Sequence, residues 1–185
     1  MSRLIMWNLM TLDGYFEGAT SWDLGWHENV WGEELERISL EQLRAAERLL
    51  FGRITYDGMA AYWSSAEGEI AGLMNDIPKV VFSRTLDRAE WSNTRLVDGD
   101  AVAEVSRLKR AGDRDTLVFG SGDLAATLTR HGLFDEYRLA VAPLVIGSGK
   151  TLFGRGHGEL KLKLLEARPL SSGAVILRYE PVRSA

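Results

Sequence analysis

The sequence predicts an α/β fold: a mixed, mostly parallel sheet flanked by helices, with an antiparallel hairpin at the C-terminal end. Three observations predict it. Apolar runs such as Val80-Val81-Phe82 and Leu117-Val118-Phe119 are too short for helices and resemble strands buried on both faces. Segments of helical periodicity, such as Leu124 and Leu128 four apart, follow these runs. Strands that alternate with helices imply crossover connections and parallel pairing. Beyond residue 158 the pattern turns to strands alone, with two runs, 160–167 and 174–180, around the turn Leu170-Ser171-Ser172-Gly173. No repeat or linker interrupts the 185 residues, so 1–185 is expected to form one domain.

In chain order, residues 4–10 are apolar almost throughout and form the first strand. Thr11, Asp13 and Gly14 then supply turn chemistry. Residues 16–31 form a long connection with Trp22, Trp26 and Trp31, and a structureless loop of this length is usually a lid or binding loop. Residues 33–48 have helical spacing, through Leu35, Ile38, Leu43 and Ala46. A second strand, 49–51, ends at Gly52-Arg53; Thr55 is placed to cap a short helix to Tyr62, and 68–75 carries another. The third strand, 79–82, enters through Pro78 and closes at Ser83-Arg84-Thr85. A fourth covers 94–97, and Asp100 is the N-cap of a helix to Ala111. The fifth, 117–119, stops at Gly120-Ser121-Gly122 before the next helix. A sixth, 137–146, contains Pro143, which predicts an edge position or a bulge. Residues 147–158 are glycine-rich and loop-like.

Composition narrows the function classes. Hydrophobic residues make up 45% and charged residues 26%, which is ordinary globular usage. A net charge of −4 argues against a nucleic-acid partner, whose expected footprint is basic. Without cysteine there are no disulfides, thiolate metal sites or thiol nucleophiles, in keeping with a reducing, cytoplasmic compartment. The N-terminal apolar run is too short for a signal peptide, and no segment approaches the roughly 20 apolar residues of a membrane span. His27, His131 and His157 lack metal-ligand spacing, so no metal is expected.

Three predicted strands end in glycine, hydroxyl or arginine residues: Gly52-Arg53-Ile54-Thr55, Ser83-Arg84-Thr85 and Gly120-Ser121-Gly122. In an open parallel sheet such ends share the edge where ligands bind, and arginines beside helix N-termini suit phosphates. The bland alternative is that the glycines only turn the chain and the arginines are solvated. Gly120-Ser121-Gly122-Asp123-Leu124-Ala125 also fits a loose dinucleotide fingerprint, but it follows the fifth strand rather than the first. Gly147-Ser148-Gly149-Lys150-Thr151 imitates the end of a phosphate-binding P-loop, although Leu144 stands where its first glycine belongs. Trp22, Trp26 and Trp31 suit either a pocket for a flat ring or ordinary core. Asp13 suits either a turn or a ligand-site acid.

In order, Leu12-Asp13-Gly14-Tyr15-Phe16, Leu50-Phe51-Gly52-Arg53-Ile54-Thr55-Tyr56, Val81-Phe82-Ser83-Arg84-Thr85-Leu86, Phe119-Gly120-Ser121-Gly122-Asp123-Leu124 and the run 133–139 resemble a known family. It is the dihydrofolate-reductase-like proteins related to the reductase domain of the bifunctional riboflavin-biosynthesis deaminase–reductase. Residues 141–153 match that group as well. The resemblance implies a sheet of about eight strands, mostly parallel with an antiparallel C-terminal hairpin. It also implies a cytoplasmic, homodimeric, NADPH-dependent reductase. Gly52, Arg53 and Thr55 would lie near the cofactor phosphates, and Ser83, Arg84 and Thr85 near the adenosine 2′-phosphate. Gly120, Ser121, Gly122, Asp123 and Leu124 would hold the pyrophosphate, and Asp13 with the loop through Trp22 and Trp26 would cover the nicotinamide.

Two departures bear on the substrate. The carboxylate that dihydrofolate reductases carry on the first helix has only positional candidates here, Asp23, Glu33 and Glu34. Phe119 replaces the acidic residue that precedes the glycine pair in riboflavin-pathway reductases. The expected activity is hydride transfer to a pterin-, pyrimidine- or flavin-like heterocycle, of the dihydrofolate or 5-amino-6-(5-phosphoribosylamino)uracil reductase type. Its rivals are a non-catalytic dinucleotide- or heterocycle-binding protein on the same scaffold and, if the Gly147 loop bound ATP, a P-loop kinase.

Overall fold

In the computed structural model, which describes residues 1–153 and 158–182, the first strand, β1 (Leu4–Thr11), is central. Leu4 and Met6 are buried in one core cluster and Ile5 in another, so the strand needs cover on both faces. That is why its sequence is apolar rather than alternating. The remaining strands are β2 (Tyr15–Glu17), β3 (Ala46–Gly52), β4 (Lys79–Phe82), β5 (Thr94–Val97), β6 (Asp115–Phe119), β7 (Glu136–Ala142), β8 (Lys150–Thr151), β9 (Leu162–Pro169) and β10 (Val175–Pro181). Seven of these join β1 in one eight-stranded sheet, in the order β5-β4-β3-β6-β1-β7-β10-β9. Pairing is parallel from β5 to β7, and β10 adds antiparallel contacts to β7 and β9. β2 and β8 form a separate antiparallel pair.

Helices α1 (Glu33–Ala45), α2 (Arg53–Trp63) and α3 (Glu69–Asp76) bury Leu43, Tyr56 and Met74 in the cluster that contains Ile5. Helices α4 (Ala101–Ala111) and α5 (Gly122–Arg130) bury Val105, Leu108, Leu124, Ala125 and Leu128 with Leu4 and Met6. α4 starts at Asp100, whose carboxylate accepts from the Val102 and Ala103 amides at 2.8 and 3.3 Å. α5 ends in a Schellman motif: the Leu133 amide donates to Leu128 O and the Gly132 amide to Thr129 O. Gly132 has φ +62°, a conformation that glycine adopts without Cβ strain.

Four expectations are corrected. The first helix stops at Ala45, because Ala46 and Arg48 are drawn into parallel pairing with Asp115 and Thr116. Pro143 lies outside the ladder: β7 ends at Ala142 and is interior, between β1 and β10, so the proline marks neither an edge nor a bulge. The connection 16–31 contains β2 and a 3-10 helix, Gly25–Asn29, rather than structureless chain. Thr55 does not cap α2; Gly52 occupies the N-cap and Thr55 lies within the first turn. His157 and part of the glycine-rich loop lie outside the described residues.

Candidate active site

β3 lies between β4 and β6, which brings the sequence-distant strand ends together. Gly52, Phe82 and Val97 are register partners, so the segments after β3, β4 and β5 leave the sheet level with one another. The turn after β6 is held by its neighbours. Ser121 adopts the left-handed conformation, φ 57° and ψ 52°. Its amide donates to Thr55 Oγ1 at 2.9 Å, and its hydroxyl accepts from the Gly52 amide at 2.8 Å. The Gly120 amide donates to Asn8 Oδ1 at 2.6 Å. A Cβ on Gly120, at φ +47°, would stand 3.1 Å from Thr55 Oγ1, so both backbone angle and space favour glycine.

These segments enclose a cleft of about 1280 Å³ along the C-terminal sheet edge. Gly52, Arg53 and Thr55, then Ser83 and Arg84, then Ser121, Gly122, Asp123 and Leu124 lie on its wall. Thr85 does not; its amide donates to Ser83 Oγ and shapes that turn. Gly120 belongs to the adjoining inner pocket. α2 and α5 begin on the cleft wall with no side-chain cap, and the first amides of a helix lack intrahelical partners. Such ends favour anions. Arg84 has no ion-pair partner among the described residues, while Arg53 meets Asp57 at 3.2 Å in an exposed and therefore weak pair.

Sequence reasoning missed a fourth strand end: Asp98, Gly99 and Asp100 after β5 also border the cleft, although only the helix cap was legible there. Thr127 and Arg130 of α5 were missed too. Gly149, Lys150 and Thr151 close one side, but a strand follows Gly149 where a P-loop needs a helix, which removes the kinase alternative. Lys150 Nζ instead meets Glu17 Oε2 at 3.1 Å.

Phe16, Glu17, Ile54 and Thr55 also line a second, apolar pocket of about 160 Å³, so the two spaces share a wall. Trp7, Trp22, Trp31, Trp63 and Phe119 surround it. Trp22 is in the left-handed region at φ 64°, its amide donates to Glu17 Oε1, and its ring packs on Gly58. Trp26 is core instead, 8% exposed with Val30, Leu35 and Ile38. The tryptophans thus divide between wall and core.

The polar side chains of this pocket include Asn8, His27, Ser39 and Gln42. Burial pushes the His27 imidazole down to about 4, so it is neutral near pH 7. Gln42 Oε1 accepts from Arg138 Nη1 at 3.1 Å. Asn8 Nδ2, Gln42 Nε2 and His27 Nε2 are buried without partners among the described residues.

Asp13 lies on neither wall. Its carboxylate accepts from the Thr11 hydroxyl at 2.6 Å and from the Gly147 amide at 2.8 Å. The Thr11 bond first, then the backbone amides, hold it below the usual carboxylate range. Of the positional candidates for a ring-binding acid, Glu34 is bonded to the Ser171 amide, and neither Glu33 nor Asp23 lines the pocket. α1 supplies Ser39, Gln42 and Leu43 there.

Comparison with known proteins agrees with this architecture. The chain is 29% identical over 182 residues to the uncharacterized protein YyaP of Bacillus subtilis, covering 96% of this chain and 94% of that one. A putative riboflavin biosynthesis protein from Shewanella superposes with a TM-score of 0.80 at 20% identity, over 98% of this chain and 99% of the other. A dihydrofolate reductase from Enterococcus faecalis, complexed with NADP(H) and RAB-propyl, superposes with a TM-score of 0.65 at 14% identity, over 97% of this chain and 96% of the other. At these identities the structural likenesses establish the dihydrofolate-reductase-like fold. The profile of the RibD C-terminal domain matches residues 3–176, nearly the whole chain. The chain therefore belongs to the RibD C-terminal domain family.

Proposed function

We propose that this protein is an NADPH-dependent reductase that transfers a hydride to a flat pterin-, pyrimidine- or flavin-like heterocycle. One observation carries the reading: a long cleft with two uncapped helix N-termini shares Phe16, Glu17, Ile54 and Thr55 with an aromatic pocket of ring size. The residues present fit the cofactor. The first turn of α2 and the Gly122, Asp123 and Leu124 amides would hold phosphates, while Gly52 and Ser121, whose amides bond Ser121 Oγ and Thr55 Oγ1, would shape the turn that presents them. Arg84, beside Ser83 and Thr85, would receive the 2′-phosphate, and Arg53 can exchange its exposed Asp57 contact for a ligand anion.

Bound there, NADPH supplies the hydride. The chain's part is to orient the ring and exclude water. Trp22, Phe16 and Phe119 form flat apolar walls, and Glu17 ties β2 to Lys150 of β8 beside the shared wall. Asp13 positions the segment at Ile146 and Gly147 by accepting their amides. The reading treats residues 1–185 as one domain of a cytoplasmic homodimer. No described helix is long and apolar enough to cross a membrane.

A non-catalytic binding protein on the same scaffold is the second reading. It is favoured by Asp13, the expected acid, whose carboxylate is engaged outside both cavities. Tryptophan fluorescence titrated with NADPH and NADH, followed by NADPH consumption across pterins, pyrimidines and flavins, decides between them. NADPH binding with turnover supports the reductase, binding without turnover supports the rival, and no quenching by either nucleotide removes the cofactor.

A further inference from the structure

We infer that Glu17 and Lys150 form a positioning pair that links the cleft to the inner pocket. Lys150 meets an anionic ligand group in the cleft, and Glu17 passes that hold to Trp22, whose ring walls the pocket. This rests on the proposed reductase reading, in which the cleft takes an anionic cofactor, and names the residues through which that cofactor sets the pocket wall.

Among the described residues, Glu17 is the only titratable side chain on both walls. It is 5% exposed, and a carboxylate so far out of water requires polar partners. Among the described residues it has two: Oε1 accepts from the Trp22 amide, and Oε2 meets Lys150 Nζ at 3.1 Å. Each partner belongs to a different cavity, Trp22 to the inner pocket and Lys150 to the cleft. The carboxylate therefore stands between them, with one oxygen committed to each side.

Trp22 is the residue that this pair controls. At φ 64° it lies in a region that bulky residues rarely enter, and such a conformation persists only where neighbours hold it. Backbone bonds from Gly18 to Asp23 and from Asp23 to Thr20 close the loop around Trp22. Its own amide is held, among the described residues, by the Glu17 carboxylate alone. The ring rests on Gly58 of α2.

The backbone places Lys150. β2 and β8 pair with Glu17 opposite Lys150, and a Cβ on Gly149 would collide with Glu17 O, so the two segments approach closely there. The Lys150 side chain is 43% exposed. Its ammonium carries three donors; Glu17 takes one, and Ser21 Oγ, at 3.4 Å, a second. The third is left for an anion in the cleft. Stripping a buried carboxylate of its countercharge is costly, so the anion shares Lys150 with Glu17 instead of taking it. Such sharing restrains the carboxylate, and with it the Trp22 amide. Coupling of this kind is reciprocal, so a ring that packs on Trp22 strengthens the hold on the anion.

Inorganic pyrophosphate, an anion without a ring, tests this in the full chain at constant ionic strength. It is titrated by calorimetry and against tryptophan emission, with Trp22→Phe subtracted to isolate the Trp22 signal and NADPH titrated in parallel. Wild type should bind pyrophosphate and change its Trp22 signal. Lys150→Met should bind it about tenfold more weakly, the scale of one hydrogen bond from a charged donor. Glu17→Gln keeps an acceptor for the Trp22 amide and removes the charge facing Lys150. Its pyrophosphate affinity should stay within about threefold of wild type while the Trp22 response is lost, a split that general loss of structure would not produce. The inference is overturned if wild type does not bind pyrophosphate or binds it without a Trp22 change. It is equally overturned if Lys150→Met keeps wild-type affinity or Glu17→Gln keeps the response. Should Glu17→Gln not fold, wild type and Lys150→Met decide alone. NADPH binding without a Trp22 response to pyrophosphate would remove this inference and leave the reductase reading; a response to pyrophosphate without NADPH binding would do the reverse.

Discussion

Thr55→Val tests how the cofactor turn is built. The substitution keeps shape and removes one oxygen, the acceptor of the Ser121 amide at 2.9 Å. Thr55 is 8% exposed and the bond is buried, so water does not readily replace the lost acceptor. Leaving a buried N–H unsatisfied costs about 1–3 kcal/mol. For a chain of 150–250 residues each kcal/mol lowers Tm by about 2–4 °C, so a fall of roughly 2–12 °C is expected. The same bond fixes Ser121 in a left-handed conformation that non-glycine residues adopt at a cost of about 1–2 kcal/mol. Its loss lets the turn relax away from the first turn of α5, and NADPH affinity should fall about tenfold. Thr55→Ser keeps the oxygen, so it should retain wild-type NADPH affinity and lose only methyl packing, about 1 kcal/mol. Urea denaturation and NADPH fluorescence titration read both effects. If Thr55→Val stays within about 0.5 kcal/mol of wild type, or loses no more NADPH affinity than Thr55→Ser, the account of the turn is wrong.

Three further outcomes are expected. Arg84→Ala should weaken NADPH more than NADH in direct titrations, and equal losses would sink the 2′-phosphate role. Burial alone would raise the Glu136 pKa, but hydrogen bonds from Arg138 and Arg178 outweigh it and hold the group at about 2. With the folded value depressed below 4.5, the unfolded chain binds the proton first as pH falls. The contribution is therefore full above pH 4.5 and lost on acidification towards pH 2, about 3 kcal/mol in all. Urea midpoints across that window should fall less steeply in Glu136→Gln than in wild type, and parallel curves would refute the assignment. Gly58→Ala would place a methyl 2.3 Å from the Trp22 ring and displace it from the pocket wall. Tryptophan emission should shift and the urea midpoint should fall, as overpacking costs about 1–3 kcal/mol, whereas two unaltered readings would show that Trp22 is not held there.

Where local chemistry suffices, the sequence alone determined the outcome. β4 and β5 occupy 79–82 and 94–97 as their patterns predict, and Asp100 caps α4 because a carboxylate can reach amides two and three residues ahead. The glycine and arginine residues after the second, third and fifth runs announced a ligand edge for the same reason. Order across the sheet was not legible, since inserting β6 between β1 and β3 depends on contacts far apart in the chain. The same distance hid the bond from Ser121 to Thr55, 66 residues away, and the approach of Asp98 to the cleft. Ala46 left its helical pattern because pairing with Asp115 outweighs a weak local preference. Trp22 and Trp26, alike in sequence, were separated into wall and core by packing. Sequence identified Asn8 and Gln42 only as amides; tertiary structure engaged their oxygens with Gly120 and Arg138 and left their donors buried without partners among the described residues. A hydrogen bond depends on where its partner stands, and these partners lie 112 and 96 residues away.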